Sequence, residues 1–227
     1  MPLLSTLDLV ALAWFFGAWV IYSLTLSFTE QRRRGLNSEM HLYRDSWMLQ
    51  MLGREMRMVD AQIVAALQNG TAFFASTSLI AIGGALTLLR STQELLQVIA
   101  ALPFGVQMTP VQWELKTMGL AIIFVYAFFK FAWSYRLYTY VAILVGATPP
   151  AKDKELPEAK AHAARVGGLC EVAGRHFNRG QRAFFFALGY LGWFISPWLL
   201  MTTTVIVAIV LWRRQFASDS RRSLVES

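Results

Sequence analysis

The sequence predicts an all-α, polytopic membrane helix bundle with four transmembrane helices plus amphipathic cytoplasmic helices. Hydrophobic residues make up 56% of the 227 residues and charged residues only 15%, whereas a soluble domain carries roughly 25% charged residues. The charges are also clumped, because the windows 9–29, 61–89 and 183–212 contain none. A helix needs about 20 apolar residues to cross the hydrocarbon core of a bilayer. We therefore expect the whole chain, 1–227, to form a single membrane domain.

The remaining predicted span lies at about 115–138, inside an apolar stretch that begins at Glu114 and continues to Gly146. Lys130 and Arg136 interrupt it, and an ionisable group at membrane depth marks a candidate functional site. The lysine can extend its ammonium to the headgroups along an apolar stem, or it can be buried against a polar partner. Both interpretations stay open at this stage.

The first span, 9–29, is followed by three arginines at 32–34, which indicate the cytoplasmic side. We therefore expect segments 30–60 and 147–182 to be cytoplasmic and the N-terminus to lie outside the cell (inner) membrane. The net charge of +7 comes from residues that flank the spans. It favours contact with anionic lipid headgroups over binding of nucleic acid.

A methionine-rich helix is predicted from about Glu39 to Asp60. Its mixture of apolar and charged residues is typical of a helix that lies on the cytoplasmic membrane face or packs under the bundle. Soft-metal binding is not expected, because the methionines are not accompanied by cysteines or clustered histidines.

The second span carries polar or small residues at every seventh position, namely Gln62, Asn69, Ser76 and Gly83. The spacing places them on one stripe, which predicts either a close helix–helix seam or the wall of a polar cavity. Because the depths of Asn69 and Lys130 match when counted from the predicted span ends, polar groups of this span are expected to reach Lys130. The candidate intramembrane site is Lys130, Arg136, Gln68, Asn69, Ser76 and Asp60.

The fourth span, 183–212, contains Ser196-Pro197 near its middle. We expect one full span kinked at the proline, which would place the C-terminus outside. A re-entrant hairpin at Ser196-Pro197 is the alternative, and it agrees better with the basic pair Arg213 and Arg214 that follows the span. Before this span, a weak helix is expected at 159–177, and after it a flexible tail at 213–227.

Chemistry-bearing residues are sparse. Cys170 is the only cysteine and has no neighbouring histidine in the sequence, so we interpret it as packing. His176 ends a predicted helix and is expected to be structural. No catalytic set, cofactor motif or metal site is predicted, and an enzymatic function is not expected.

Several long motifs resemble a domain-of-unknown-function family of multi-pass membrane proteins, over about 44–198. The resemblance implies a membrane-embedded bundle and supplies no ligand residue. The motifs are REMRMVDAQ (54–62), QNGTAFFASTSLIAIGG (68–84), YAFFKFAWSYRLYTY (126–140), VGATP (145–149) and HFNRGQRAFFF (176–186).

Two functions therefore remain open. The first is a homo-oligomeric channel or transporter-like conduit with a cationic interior, favoured by Lys130, Arg136 and the polar stripe. The second is a non-conducting scaffold or interaction protein, favoured by the large charged segments at 30–60 and 149–182.

Overall fold

The computed structural model describes residues 4–31, 36–100 and 108–216, which form α-helices joined by short turns and contain no strand. Four helices are long and apolar enough to cross a membrane, so the predicted all-α membrane bundle is confirmed. The arginines predicted to mark the cytoplasmic side at 32–34, and the tail beyond 216, lie outside the described residues. In chain order the helices are α1 (Thr6–Gln31), α2 (Leu36–Leu52), α3 (Met58–Arg90), α4 (Thr92–Ala100), α5 (Pro110–Gly146), α6 (Pro157–Tyr190) and α7 (Pro197–Phe216).

Local sequence explains where the central helix begins. The Thr109 hydroxyl accepts a hydrogen bond from the Gln112 amide at 3.3 Å, and the Gln112 side chain accepts one from the Thr109 amide at 3.1 Å. This reciprocal pair is a capping box, and it satisfies two N–H groups that the helix itself leaves free. Pro110 follows the cap at a position where its missing N–H has no consequence.

The helix α5 lies at the centre of the bundle, with α3 and α6 packed antiparallel along it. Gln68 of α3 donates to the Thr139 hydroxyl at 3.1 Å. On the other side, the Ser134 hydroxyl donates to the Ala173 carbonyl at 2.8 Å and Lys116 donates to the Trp193 carbonyl at 2.7 Å. These contacts place the second half of α6 level with the apolar part of α5.

Residues 183–212 are divided between two antiparallel helices, so the prediction of one kinked span is wrong. The helix α6 ends at Tyr190, a 3₁₀ turn follows at Leu191–Phe194, and α7 begins at Pro197. The Ser196 hydroxyl accepts a hydrogen bond from the amide three residues further on, at 3.1 Å. Serine followed by proline can kink a helix, but it is also a favoured helix start. The hydroxyl caps a free N–H, and proline at the first position loses no hydrogen bond.

The helix α6 is a single helix of 34 residues, whereas the sequence predicted a short helix, 159–177, within a cytoplasmic segment. It continues through Gly167, which lies under α2, where a Cβ would come 3.3 Å from Asp45 Oδ1. Tertiary packing therefore overrides the low helix propensity of glycine. Small side chains along its buried face allow α5 and α2 to approach closely. They are Ala159, Ala163, Gly167, Cys170, Ala173, Gly174, Gly180, Ala183 and Ala187.

The helix α2 ends at Leu52, earlier than the predicted helix 39–60. In the turn that follows, Arg57 donates to the carbonyls of Thr148 at 3.1 Å and Pro149 at 2.6 Å. These carbonyls lie just after the end of α5, where no helix supplies them with hydrogen-bond donors. This side chain therefore ties the start of α3 to the end of the central helix.

The two described chain ends lie at opposite ends of the bundle. The Trp193 indole donates to Asp8 Oδ1 at 2.8 Å, which places the α6–α7 turn beside the start of α1. Leu26, near the end of α1, instead shares a cleft with Arg214 of α7. Because the sequence-based count omitted α6, it placed both chain ends on one side, and this expectation is wrong for the described end at Phe216.

Two hydrophobic cores follow one another along the bundle. Aromatic side chains dominate the core nearer the α6–α7 turn, and aliphatic residues and methionines form the other. Met48 and Met51 of α2 are therefore packed under the bundle, which is one of the two positions expected from the sequence. The first core includes Phe15, Phe131, Phe186, Tyr190 and Trp193, and the second includes Met48, Met51, Val141 and Val166.

Candidate functional site: polar residues at membrane depth

The seven-residue repeat of α3 lies on the surface of the described chain, and we call it the outer stripe: Gln62, Asn69, Ser76 and Gly83. All four residues are exposed, and a Cβ on Gly83 would meet nothing within 4 Å. Three heptads of helix extend about 32 Å, close to the ~30 Å thickness of the hydrocarbon core. The outer stripe is therefore about as long as the hydrocarbon core is thick, with polar side chains at Gln62, Asn69 and Ser76 and Gly83 at its end.

A second seven-residue row faces the interior of the bundle and consists of Val64, Thr71, Ser78 and Ala85, all buried. The hydroxyls of Thr71 and Ser78 donate to carbonyls of their own helix at 2.7 Å and 2.8 Å. Small residues here allow close packing against α5. The seam within the chain is therefore formed by this inner row, and the outer stripe is left without a covering helix among the described residues.

Lys130 is half-buried, and its Nζ lies 5.1 Å from the centre of the Tyr126 ring. The neighbouring Phe131 stacks on Phe74 of α3 at 5.4 Å. Lys130 is therefore level with Phe74, and the expected match in depth with Asn69 is wrong.

The mismatch has a simple geometric reason. Gln68 pairs with Thr139 of α5, which is nine positions, or about 13 Å, along the helix from Lys130. The sequence-based estimate counted from a span end at 138, but α5 continues unbroken to Gly146. The amides of α3 are consequently two to three turns away from the lysine.

Arg136 is exposed, and its Nε donates to the Tyr140 hydroxyl at 2.7 Å. The guanidinium also lies 5.6 Å from the centre of that ring. A cation over an aromatic face is stabilised electrostatically. The residue is thus held on its own helix and is not in contact with Lys130.

Asp60 is fully buried and forms an ion pair with Arg54, which is not one of the six candidate residues. Its Oδ1 accepts hydrogen bonds from Arg54 at 2.5 Å and from the Trp47 indole at 2.6 Å, whereas Oδ2 has no partner among the described residues. Buried carboxylates require such pairing to remain in a folded protein. The six candidate residues are therefore spread over several places and do not form one site.

A buried polar network that the sequence did not predict closes the other end of the bundle. Asp8 accepts from the Ser5 hydroxyl at 2.6 Å and from the Trp193 indole at 2.8 Å. Lys116 donates to the Trp193 carbonyl, and its ammonium lies 5.1 Å from the Trp193 ring centre. The network joins α1, α5 and the α6–α7 turn. Its local signal was available, because Ser5 and Asp8 have capping-box spacing, but the partners come from distant parts of the chain.

Comparison with known proteins supplies the classification. Residues 10–220 match the family described as Protein of unknown function, DUF599. The chain belongs to the DUF599 family. This confirms the resemblance found in the sequence motifs. No curated protein and no solved structure matches the chain.

The four apolar helices of this DUF599 chain indicate a membrane location. The polar groups that the described residues present at that depth are amides, hydroxyls and isolated cations. Such groups hydrogen-bond and attract charge, and they provide the surfaces from which polar pathways or helix interfaces are built.

Proposed function

We propose that copies of this protein associate through the outer stripe of α3 into a homo-oligomeric conduit, a channel or transporter whose pathway runs between the copies. The exposure of the polar side chains of Gln62, Asn69 and Ser76 on an apolar helix carries the proposal. Amides and hydroxyls are costly in lipid, because no group there hydrogen-bonds to them. A second copy or a water-filled pathway removes this cost.

The centre of a single chain leaves no room for a pathway among the described residues. Phe15, Phe131 and Phe186 fill it, and each has 0% of its surface exposed. Such aromatic side chains pack at the density of a protein interior. A conduit must therefore lie between copies.

The proposed pathway is neutral, in contrast to the cationic interior expected from the sequence. Lys130 lies over Tyr126, whose ring contacts Trp19 of α1 at 6.0 Å, so the lysine is directed away from the outer stripe. Amide and hydroxyl linings select mainly by hydrogen bonding and pore diameter. We therefore propose small polar solutes or hydrated ions as the transported species.

We propose that the N-terminus lies outside the cell (inner) membrane and that α7 ends in the cytoplasm. Counting α6, the chain then crosses five times, which resolves the conflict over the basic residues that follow the last span. Basic residues favour the cytoplasmic side. Those that lie at the α2 end of the bundle are Arg44, Arg54, Arg57, Lys152, Lys154, Lys160, Arg165, Arg213 and Arg214.

A non-conducting scaffold is the second candidate, and the small residues of α3 favour it. A Cβ on Gly70 or Gly83 would meet nothing within 4 Å, so two copies of the helix can approach closely and form a dry, hydrogen-bonded interface. The same association would then serve assembly alone.

Cysteine cross-linking tests the association. Ser76→Cys should form a disulfide-linked dimer in membranes under mild oxidation, whereas the matched variant Ile206→Cys, exposed on α7, should remain monomeric. The wild-type protein is the background control, because its only cysteine, Cys170, is buried. Equal cross-linking of both variants would reject the α3 interface.

Flux from liposomes separates the two candidates. Reconstituted wild-type protein should release a small polar solute faster than empty liposomes do, and Asn69→Leu should reduce this rate while Lys130→Gln leaves it unchanged. A cross-linkable oligomer that releases nothing would reject the conduit and support the scaffold.

A further inference from the structure

A cavity of about 430 Å³ opens between the end of α1, the start of α2 and the middle of α6. Polar and basic side chains line it. They include Ser27, Ser38, Arg44, Arg175, Asn178 and Arg179. A cavity of this size accommodates a small organic group such as a phosphorylated headgroup.

Its position along the bundle corresponds to the headgroup layer. Ser27 lies at the end of the apolar part of α1, beside the exposed Phe28. Next to the cavity residue Arg175, His176 meets the partly exposed ring of Trp133 at 6.4 Å. Tryptophan is enriched where the hydrocarbon core meets the headgroups. At its α1 side, the cavity therefore lies within reach of lipid phosphates.

The acidic residues of the cavity are already engaged. Glu171 forms an ion pair with Arg175, and His41 lies between Glu171 at 3.2 Å and Asp45 at 3.5 Å. The arginine offsets the charge of Glu171 locally, and the Asp45 carboxylate is largely exposed to solvent. These contacts leave other basic groups of the cavity to interact with a ligand.

Arg44 and Arg179 form no ion pair with any described residue. The Arg44 guanidinium packs over Gly174, where a Cβ would lie 3.3 Å from Nη2, so glycine leaves room for it beside α6. Ser38 Oγ is buried and has no hydrogen-bond partner in this part of the chain. Guanidinium groups bind phosphate through paired hydrogen bonds, and a hydroxyl adds a further donor.

A second cleft of about 110 Å³ adjoins the cavity, because both are lined by Asn37 and Asn178. Its lining is mixed: Leu26, Phe185 and Leu211 form an apolar part, and Arg182 and Arg214 add positive charge. The apolar part of this cleft can bury the first methylene groups of an acyl chain, and its arginines add to the attraction for an anionic headgroup.

We infer that this cavity binds the phosphate-bearing headgroup of an anionic membrane phospholipid, with Arg44 and Arg179 on the phosphate and an acyl chain along the adjoining cleft. The leaflet that supplies the lipid follows from the proposed orientation, and is the cytoplasmic one. The site is separate from the outer stripe and does not require the protein to conduct.

Binding is tested on the full-length protein purified in a neutral detergent. Dioctanoyl phosphatidylglycerol should raise the unfolding temperature in a saturable manner, whereas dioctanoyl phosphatidylcholine should not. Arg179→Gln should lower the affinity for phosphatidylglycerol about tenfold, the effect of losing one charge-assisted contact. Arg179→Lys should lower the affinity less. Because Arg179 is exposed, its replacement should leave folding intact.

Arg136→Gln is the matched control, since Arg136 is an exposed arginine that contacts Tyr140 of its own helix. An equal loss in this control would show that overall surface charge is responsible and would overturn the proposal. If glycerol 3-phosphate binds as tightly as the lipid, the ligand is a soluble phosphate, and this result would also overturn the proposal. The assay contains no flux measurement, so failure of the conduit leaves its result unaffected.

Discussion

Gly180 of α6 lies directly against the ring of Phe131 of α5, and a Cβ at this glycine would come 2.7 Å from the ring. The ring has no space into which it can retreat, because it is fully buried and packed between Phe74 and Phe177. This contact sets how closely the two longest helices of the bundle approach one another.

Gly180→Ala should therefore destabilise the protein by about 1–3 kcal/mol, the usual effect of overpacking a core. Gly168→Ala is the matched control in the same helix, because a Cβ there meets nothing within 4 Å. It should be neutral or stabilise by about 0.5–1 kcal/mol, since alanine is the better helix former. Thermal unfolding in detergent measures both variants, and a control as unstable as Gly180→Ala would contradict the argument.

The network at the α6–α7 turn should contribute measurably to stability. Trp193→Phe retains most of the aromatic packing but removes the indole N–H that Asp8 accepts at 2.8 Å. A buried acceptor left without its donor costs about 1–3 kcal/mol. Trp133→Phe, at a partly exposed ring, should change the unfolding free energy by less than about 0.5 kcal/mol. Equal losses in the two variants would show that only ring size matters.

The ion pair between Arg54 and Asp60 predicts that the effects of replacing these two residues on stability are not additive. Arg54→Ala leaves a fully buried carboxylate without its cation and should cost about 3 kcal/mol. Adding Asp60→Asn removes the negative charge, and the double variant should recover part of the lost stability. Chemical or thermal unfolding of the single and double variants gives the interaction free energy between the two residues. Additive losses would indicate that the two residues do not interact.

The position of the α6–α7 turn predicts a labelling pattern in intact cells. Ile195→Cys, exposed at the turn, should react with a membrane-impermeant thiol reagent added outside. Gln215→Cys, near the end of α7, should react only after the membrane is permeabilised. The reverse pattern would invert the proposed orientation. Labelling of Gln215→Cys but not of Ile195→Cys from outside would favour a single kinked span.

The sequence by itself determined the fold class, because a helix that crosses a bilayer needs a continuous apolar length and this requirement is visible in composition. The start of α5 has an equally local cause in the capping box at Thr109, although the predicted span began only at about 115. The family, too, was recognisable from contiguous motifs. Each of these properties depends on short-range order along the chain.

Only the tertiary structure decided that α6 runs through the bundle. Its charged side chains made it resemble a cytoplasmic helix, yet its opposite face carries small residues such as Ala173 and Gly180 that fit against α5. Ser196-Pro197 was equally ambiguous, because the same dipeptide starts one helix or kinks another. The partners of Lys130, Asp8 and Asp60 depend on the register between helices. That register is set by packing over many residues from different helices, and no local pattern in the sequence specifies it.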